Sequence, residues 1–443
     1  MNDVETRRHL LDTVATSIGI LAIAVTSAVE VLLFLHDFGT TDRTDGVFAA
    51  FALYSLVTVF AQILRTSAVP LVTGDAAPVL PADFVAAVTV MAAVVAVGGF
   101  VCATPLAAAL GHSLPHEGRD TVASALRILA PAMALQLVGA AMAVIGARRE
   151  KLRVVGVAYV VANVAGLVAF VVLVDRTGEL ALPWCVLIGS LVLVPCLLPA
   201  TGTRVARPGT TRQLARAAAL VVRSAAVPVA FVAVYPISIA LAGTVPAGEI
   251  TRFAFAYTVC SYLPGLTSVA LGMTDVAQLS ATASSSDARG DVAHRSVRWS
   301  AFLIAPVVAL AAVVGPNLFA TLQPGKGEAH DLGTLFVELA PWLAATVLLW
   351  STLPALLAET RGVRLVRYLP AIVAVHVVAT IAGRAVWGFD GVVIALAIAP
   401  LVFAFVSWRL TDVVRRVPSL LWSLLQATAV GGGVYAVAAI VTR

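Results

Sequence analysis

The stretch RREKLRVVGVAYVVANVAGLVAFVVLVDRTGELALPWCVLIGSLVLVPCLLPATGTRVAR, Arg148 to Arg207, decides the class of fold. Two apolar runs, near 152–174 and 180–200, are joined by the polar segment DRTGE and bracketed by Arg148, Arg149, Lys151 and Arg153 before and Arg204 and Arg207 after. A hydrocarbon core of about 30 Å takes roughly 20 apolar residues at helical rise, and a backbone crossing it must satisfy its own hydrogen bonds. The stretch therefore reads as a helical hairpin that crosses a membrane and returns, with both basic ends on one side.

The same pattern continues in both directions. Spans fall near 13–36, 47–72, 83–110, 122–147, 216–242, 250–277, 296–320, 333–358, 364–386, 390–410 and 417–441, which with the hairpin makes thirteen. Composition agrees: 60% of the 443 residues are hydrophobic and 12% charged, against about 25% charged in soluble domains, so a water-facing surface cannot be built from this chain. Barrel strands are excluded because the runs do not alternate. The expected fold class is an all-α polytopic membrane protein of about 12–14 transmembrane helices.

Cations sort by loop. Arg212 and Arg216 join the set after span six, Arg289, Arg295 and Arg298 follow span eight, Arg361, Arg364 and Arg367 span ten, and Arg409, Arg415 and Arg416 span twelve. The intervening loops hold about one cation each, such as Arg43, Arg119, Arg176, Lys326 and Arg384. By the positive-inside rule the N-terminus is cytoplasmic. The formal charge of +5 is thus a topology signal, and without a compact basic domain a nucleic-acid partner is not expected. The first run is too long for a signal-peptide core and is expected to remain as a span. Arginine carries nearly all the positive charge, Lys151 and Lys326 being the only lysines, which points to a GC-rich bacterium and to its plasma membrane.

The polar segment after span six divides the first twelve spans six and six. The expected organisation is an N-lobe over 1–200, a linker over 201–215, a C-lobe over 216–414 and an additional C-terminal helix over 415–443. Loops this short hold no folded domain, so the chemistry belongs inside the bundle or at its mouths. Pro70, Pro131, Pro228, Pro236, Pro264, Pro306, Pro341 and Pro354 are candidates for helix breaks of the kind that line transporter sites, or tolerated membrane prolines.

Few residues cost energy where they sit. A charge in the hydrocarbon core costs at least about 2.5–3.5 kcal/mol. Glu30, in span one on the face of Thr26, can bind a proton or sodium ion, pair with an arginine, or reach the interface. Arg65, in span two and flanked by Gln62, Thr66 and Ser67, can hold phosphate oxygens through its planar fork, or pair with Glu30 or Asp275. Asp275, near the end of span eight, is a second candidate for ion coupling. His376 stands alone in span eleven, as a hydrogen-bonded core residue or a ligand. Cys102, Cys185, Cys196 and Cys260 lie in apolar spans without CxxC spacing and read as small hydrophobes; no metal and no cofactor are expected. No Walker phosphate loop occurs, since Gly325-Lys326 lacks the spacing and the following Ser or Thr.

Several segments carry a resemblance. FGTTDRTDGVFAAF (Phe38–Phe51), LRTSAVP (Leu64–Pro70), FAFAYTVCSYLPGLTSVALGMTDVAQLS (Phe253–Ser280), LFATLQPGKG from Leu318, PALLAETRGVR from Pro354 and GVVIALAIA from Gly391 resemble, in order, segments of the MviN/MurJ-like lipid II flippase family of the MOP superfamily. The resemblance spans most of residues 14–410 and implies a MATE-like fold: two six-helix lobes around a central cavity that opens alternately to either side. It implies a flippase that moves a polyprenyl-diphosphate-linked envelope precursor, lipid II or a related lipid-linked oligosaccharide, from the inner to the outer leaflet. Arg65, Glu30, Gln62, Thr66 and Ser67 would then line the cavity. The chain departs from the lipid II pattern where the family's first-helix arginine aligns with Glu30 and its eighth-helix arginine aligns near Val259. It departs again in span count, the family having twelve or fourteen. A proton- or sodium-coupled drug or cation antiporter of the same superfamily is the alternative, resting on Glu30. An enzyme, such as a membrane glycosyltransferase, needs a catalytic acidic pair at a sizeable aqueous loop, and Asp37, Asp42 and Asp45 are crowded into a short one.

Overall fold

The computed structural model describes residues 25–72, 79–149, 151–202, 209–243, 245–264, 328–357, 366–410 and 417–441, with short pieces between 294 and 313. The described residues are helical almost throughout, as the apolar runs require. Residues 25–38 form α1. Then follow α2 (Asp42–Ser67), α3 (Pro81–Val101), α4 (Ala103–Leu110), α5 (His116–Arg148), α6 (Leu152–Thr177), α7 (Ala181–Thr201), α8 (Thr211–Leu241), α9 (Glu249–Pro264), α10 (Glu328–Leu357), α11 (Leu369–Ala395), α12 (Ile398–Leu410) and α13 (Val417–Val441). The protein is a multi-pass membrane protein.

Local chemistry sets the helix ends. Thr41 and Thr44 form a reciprocal capping box at α2, with Asp42 and Asp45 in the first turn at the positive end of the helix dipole. Thr210 and Gln213 do the same for α8. Pro81 opens α3, where its missing N–H costs nothing. Gly178 (φ 57°) and Gly202 (φ 73°) end α6 and α7 in a backbone conformation that side chains disfavour.

The chain forms two compact units, Met1–Ile250 and Thr251–Arg443. In the first, α5 is central: it packs on α2, α3 and α7, while α6 pairs with α7 and α8 lies along α2 and α3. Close approach is licensed by small residues, the membrane substitute for a water-driven core. A Cβ on Gly189 of α7 would sit 2.9 Å from the Ala162 carbonyl oxygen of α6, and one on Gly46 of α2 would collide with the Gly118 carbonyl of α5. α6 shows the resulting two-faced pattern. Val157, Val161, Val164, Val168, Val171 and Val172 are exposed, as a lipid-facing stripe should be, while Ala158, Tyr159, Ala162, Gly166, Ala169 and Phe170 are buried.

Two buried aspartates hold the ends of α8. Asp83, in the first turn of α3, accepts the Gly209 N–H at 2.6 Å, two residues before α8 begins. Asp45 accepts the Gly248 N–H at 2.8 Å, seven residues after it ends. Between these anchors α8 bends by 50° where Thr211–Arg223 meets Ala225–Leu241. The bend sits at Ser224, four residues before Pro228, which has no N–H to return to that carbonyl. Pro131 makes no comparable break: α5 runs through it as one helix of 33 residues.

In the second unit α10 packs on α11 and α12, which also pack on each other. α11 reverses within itself at Gly388 (φ 64°, ψ −135°), a conformation essentially reserved for glycine. Gly383 and Gly391 then face each other backbone to backbone, each leaving no room for a Cβ on the other. Phe253 meets Phe389 edge-on at 5.6 Å, and Tyr257 packs on buried Trp342 at 4.8 Å.

Candidate functional site

Arg65 lies in the last turn of α2, and its guanidinium sits over the ring of Tyr159 on α6, 4.3 Å from the centroid. Tyr159 is 7% exposed and its phenolic oxygen is buried without a hydrogen-bond partner among the described residues. Arg65 is half-buried and forms no ion pair among the described residues. Stacking satisfies the flat face of a guanidinium and leaves its N–H edge directed elsewhere.

Glu30, on α1, is 8% exposed. One carboxylate oxygen lies 3.3 Å from the place a Cβ on Gly166 of α6 would occupy, and the backbone carbonyl of Cys185 on α7 lies 3.2 Å from the same point. The Cys185 thiol donates to the Leu182 carbonyl at 3.0 Å. No hydrogen-bond donor to Glu30 occurs among the described residues. The carboxyl group is thus accommodated by the absence of a side chain at Gly166.

Tyr159 and Gly166 are seven residues apart on one face of α6, which places the two points where Arg65 and Glu30 meet it ~10 Å apart along that helix. At an effective dielectric of about 20, opposite charges at ~10 Å attract by only about 1.7 kcal/mol. That is less than the roughly 2.5–3.5 kcal/mol it costs to hold even one of them in a membrane span. The sequence left open a structural Arg65–Glu30 pair; the structure brings both residues to α6 without pairing them.

The other candidates divide. Gln62 is exposed. The side chains of Thr66 and Ser67, and all of Asp275, lie outside the described residues. His376 is fully buried in α11, with its Nε2 3.4 Å from the Thr380 hydroxyl, which donates to the His376 carbonyl at 2.9 Å. Among the described residues no three His, Cys, Asp or Glu side chains gather as metal ligands. Sequence reading missed Tyr159, Asn163 and Gly166. Their signal was present as the spacing i, i+4, i+7 of one aromatic, one amide and one glycine in a span otherwise made mainly of Val, Ala and Leu.

No protein-family model and no curated protein matches the sequence. Solved structures do. The lipid II flippase MurJ in an inward closed conformation is 13% identical, with 98% of each chain covered and a TM-score of 0.74. The chain has the MOP-transporter fold. An inward-facing multidrug resistance MATE family transporter of the MOP superfamily is 15% identical over 91% of this chain and 98% of its own, with a TM-score of 0.67. A mutant of the Vibrio cholerae MATE transporter VcmN is 14% identical over 94% of this chain and 98% of its own, with a TM-score of 0.55. The MOP fold thus covers nearly the whole chain, while identities this low leave its chemistry to be argued from the residues.

Proposed function

We propose that this protein is a transporter, not an enzyme, and that it works as an alternating-access flippase for a polyprenyl-phosphate- or diphosphate-linked saccharide of the bacterial envelope. The reading rests on one observation: a guanidinium held inside the first unit, stacked on Tyr159 and lacking a carboxylate partner among the described residues. An unpaired cation in a membrane span is costly and needs an anion from elsewhere. A phosphate group suits it, because the planar N–H fork of arginine grips two oxygens at once and the Tyr159 hydroxyl adds a donor beside it. A lipid-linked sugar has a head too polar for hydrocarbon and a tail too apolar for water, so a polar path open to lipid lowers both costs.

In this reading the chain sits in the plasma membrane with its N-terminus cytoplasmic, as the loop arginines indicate. The two lobes move against each other, and the cargo passes from the inner to the outer leaflet. Full-length protein in proteoliposomes should accelerate the outward appearance of a fluorescent polyprenyl-diphosphate sugar, and Arg65→Ala should remove the acceleration. Wild-type rates equal to those of empty liposomes would overturn the reading.

A second reading, a proton- or sodium-coupled antiporter, is favoured by Glu30, a buried carboxylate without a donor among the described residues. It requires that substrate efflux follow an imposed ion gradient and stop in Glu30→Gln.

A further inference from the structure

Arg65 and Glu30 meet the same face of the same helix. Tyr159, Asn163 and Gly166 follow one another on α6 at steps of four and three, and these steps bring them into one row. Arg65 stacks on the first of them and Glu30 lies against the last. Asn163 between them is half-buried; its amide donates to the Tyr159 carbonyl at 2.8 Å, which leaves its side-chain oxygen without a partner among the described residues. One end of the row offers donors, in the guanidinium and the buried phenol. The other offers an acceptor, in the carboxylate, and the middle offers an amide oxygen. Gly166 has a structural use, the close passage of α7, and a second one: any side chain there would stand between the Glu30 carboxylate and the row.

We propose that these residues form one dipolar site whose ligand carries a phosphate, held by Arg65 and Tyr159, and a protonated amine, held by Glu30 with help from the Asn163 oxygen. The inference rests on the flippase reading above and narrows its cargo to polyprenyl-phosphate-linked amino sugars. The row is ~10 Å long, and each charge-assisted contact takes up about 2.8 Å, so roughly 5 Å separates the phosphate oxygens from the ammonium. An amine on the sugar attached to the phosphate meets that distance; the neutral amide of an N-acetyl sugar does not offer the charge. A phosphoethanolamine head group has the same chemistry, and the experiment must separate the two sources.

Binding of a polyprenyl-phosphate hexosamine with a free amine, and of its N-acetylated twin, should be measured on full-length protein in nanodiscs made without phosphatidylethanolamine. The free amine should bind at least about tenfold tighter. Glu30→Gln should bring the two lipids to within about twofold while leaving the N-acetyl affinity unchanged, and Arg65→Gln should weaken both by about tenfold or more. Gly166→Ala, whose methyl group would press on the carboxylate, should lower the ratio and so tests the site without touching a charge. Equal binding of the two lipids by the native protein, or a preference that survives Glu30→Gln, overturns the dipolar site and leaves the flippase reading standing. Binding of neither lipid overturns the dipolar site, and the flippase reading then stands or falls on the diphosphate-sugar transport assay above. Displacement of the bound amino sugar by added phosphatidylethanolamine in modest excess would assign the row to bulk lipid and overturn the cargo.

Discussion

Removing the Asp83 carboxylate should free the leading end of α8. Asp83 is 4% exposed and accepts the Gly209 amide at 2.6 Å across 126 residues of sequence. A hydrogen bond to a charged group contributes about 1.5–3 kcal/mol net, and its loss leaves a partly buried N–H to find water. Asp83→Ala should therefore destabilise the anchored state by about 2–3 kcal/mol, and Asp83→Asn, which keeps an acceptor oxygen, by about 1 kcal/mol. Amide hydrogen exchange measures this directly, because 1.4 kcal/mol is tenfold in an opening equilibrium. The Gly209 amide and the first turn of α8 should exchange roughly 30- to 150-fold faster in Asp83→Ala. Asp45→Ala should do the same at Gly248 and leave Gly209 unchanged. The 31 residues of α8 put the two anchors on the order of 45 Å apart, too far for their effects to couple directly. Unchanged exchange over 209–216 in Asp83→Ala would refute the anchoring argument, and loss of protection at Gly209 in Asp45→Ala would refute the independence of the two ends.

Other consequences are cheaper to check. Arg65→Lys should retain only part of the phosphate binding that Arg65→Ala abolishes, since an ammonium neither stacks on Tyr159 as a plane nor presents a fork; equal affinity of Arg65→Lys and native protein for a polyprenyl phosphate would count against the stacked geometry. Tyr159→Phe should leave thermal stability unchanged or raise it, because it removes a buried hydroxyl that has no partner among the described residues, while weakening phosphate binding by about 1 kcal/mol. Gly189→Ala should part α6 from α7 and cost about 1–3 kcal/mol in a detergent unfolding series, the added methyl lying 2.9 Å from the Ala162 carbonyl oxygen. Gly98→Ala in α3 is the control: among the described residues nothing lies within 4 Å of its Cβ position, and it should stabilise by about 0.5–1 kcal/mol through helix propensity.

The helices were legible because hydrocarbon thickness sets their length and turn residues set their ends. The run read as 152–174 ends as a helix at Thr177, before a positive-φ glycine, and that read as 417–441 is helical over Val417–Val441. Glu30 and Arg65 were legible for a different reason, as charges in stretches where charge is expensive. Their partners were not. Periodicity along one helix states which residues share a face and is silent on which helix that face meets, so the stacking of Arg65 on Tyr159, 94 residues away, had no trace in either segment. The anchors at Asp45 and Asp83 were hidden in the same way. Each looks like an ordinary acidic residue in a first helical turn, and only the fold brings a distant glycine amide to it. Of the eight prolines marked as possible breaks, Pro131 sits in an unbroken helix while Pro228 lies just past a 50° bend, and nothing in their immediate sequence distinguishes them.

The reversal in α11 also offers a handle for tracing ancestry. Gly383, Gly388 and Gly391 each answer a steric demand that no other residue meets: two exclude a Cβ because backbones touch, and one adopts a conformation closed to side chains. Valine, alanine and leucine elsewhere in the spans meet no such demand, and one membrane fold is compatible with an identity as low as the 13% seen against the flippase structure. A glycine triplet with intervals of five and three, set between two apolar runs, should therefore change more slowly than overall similarity, which a comparison of chains sharing it would check. Collecting chains that keep it would assemble a set of relatives in which the Arg65, Tyr159 and Glu30 positions can be compared.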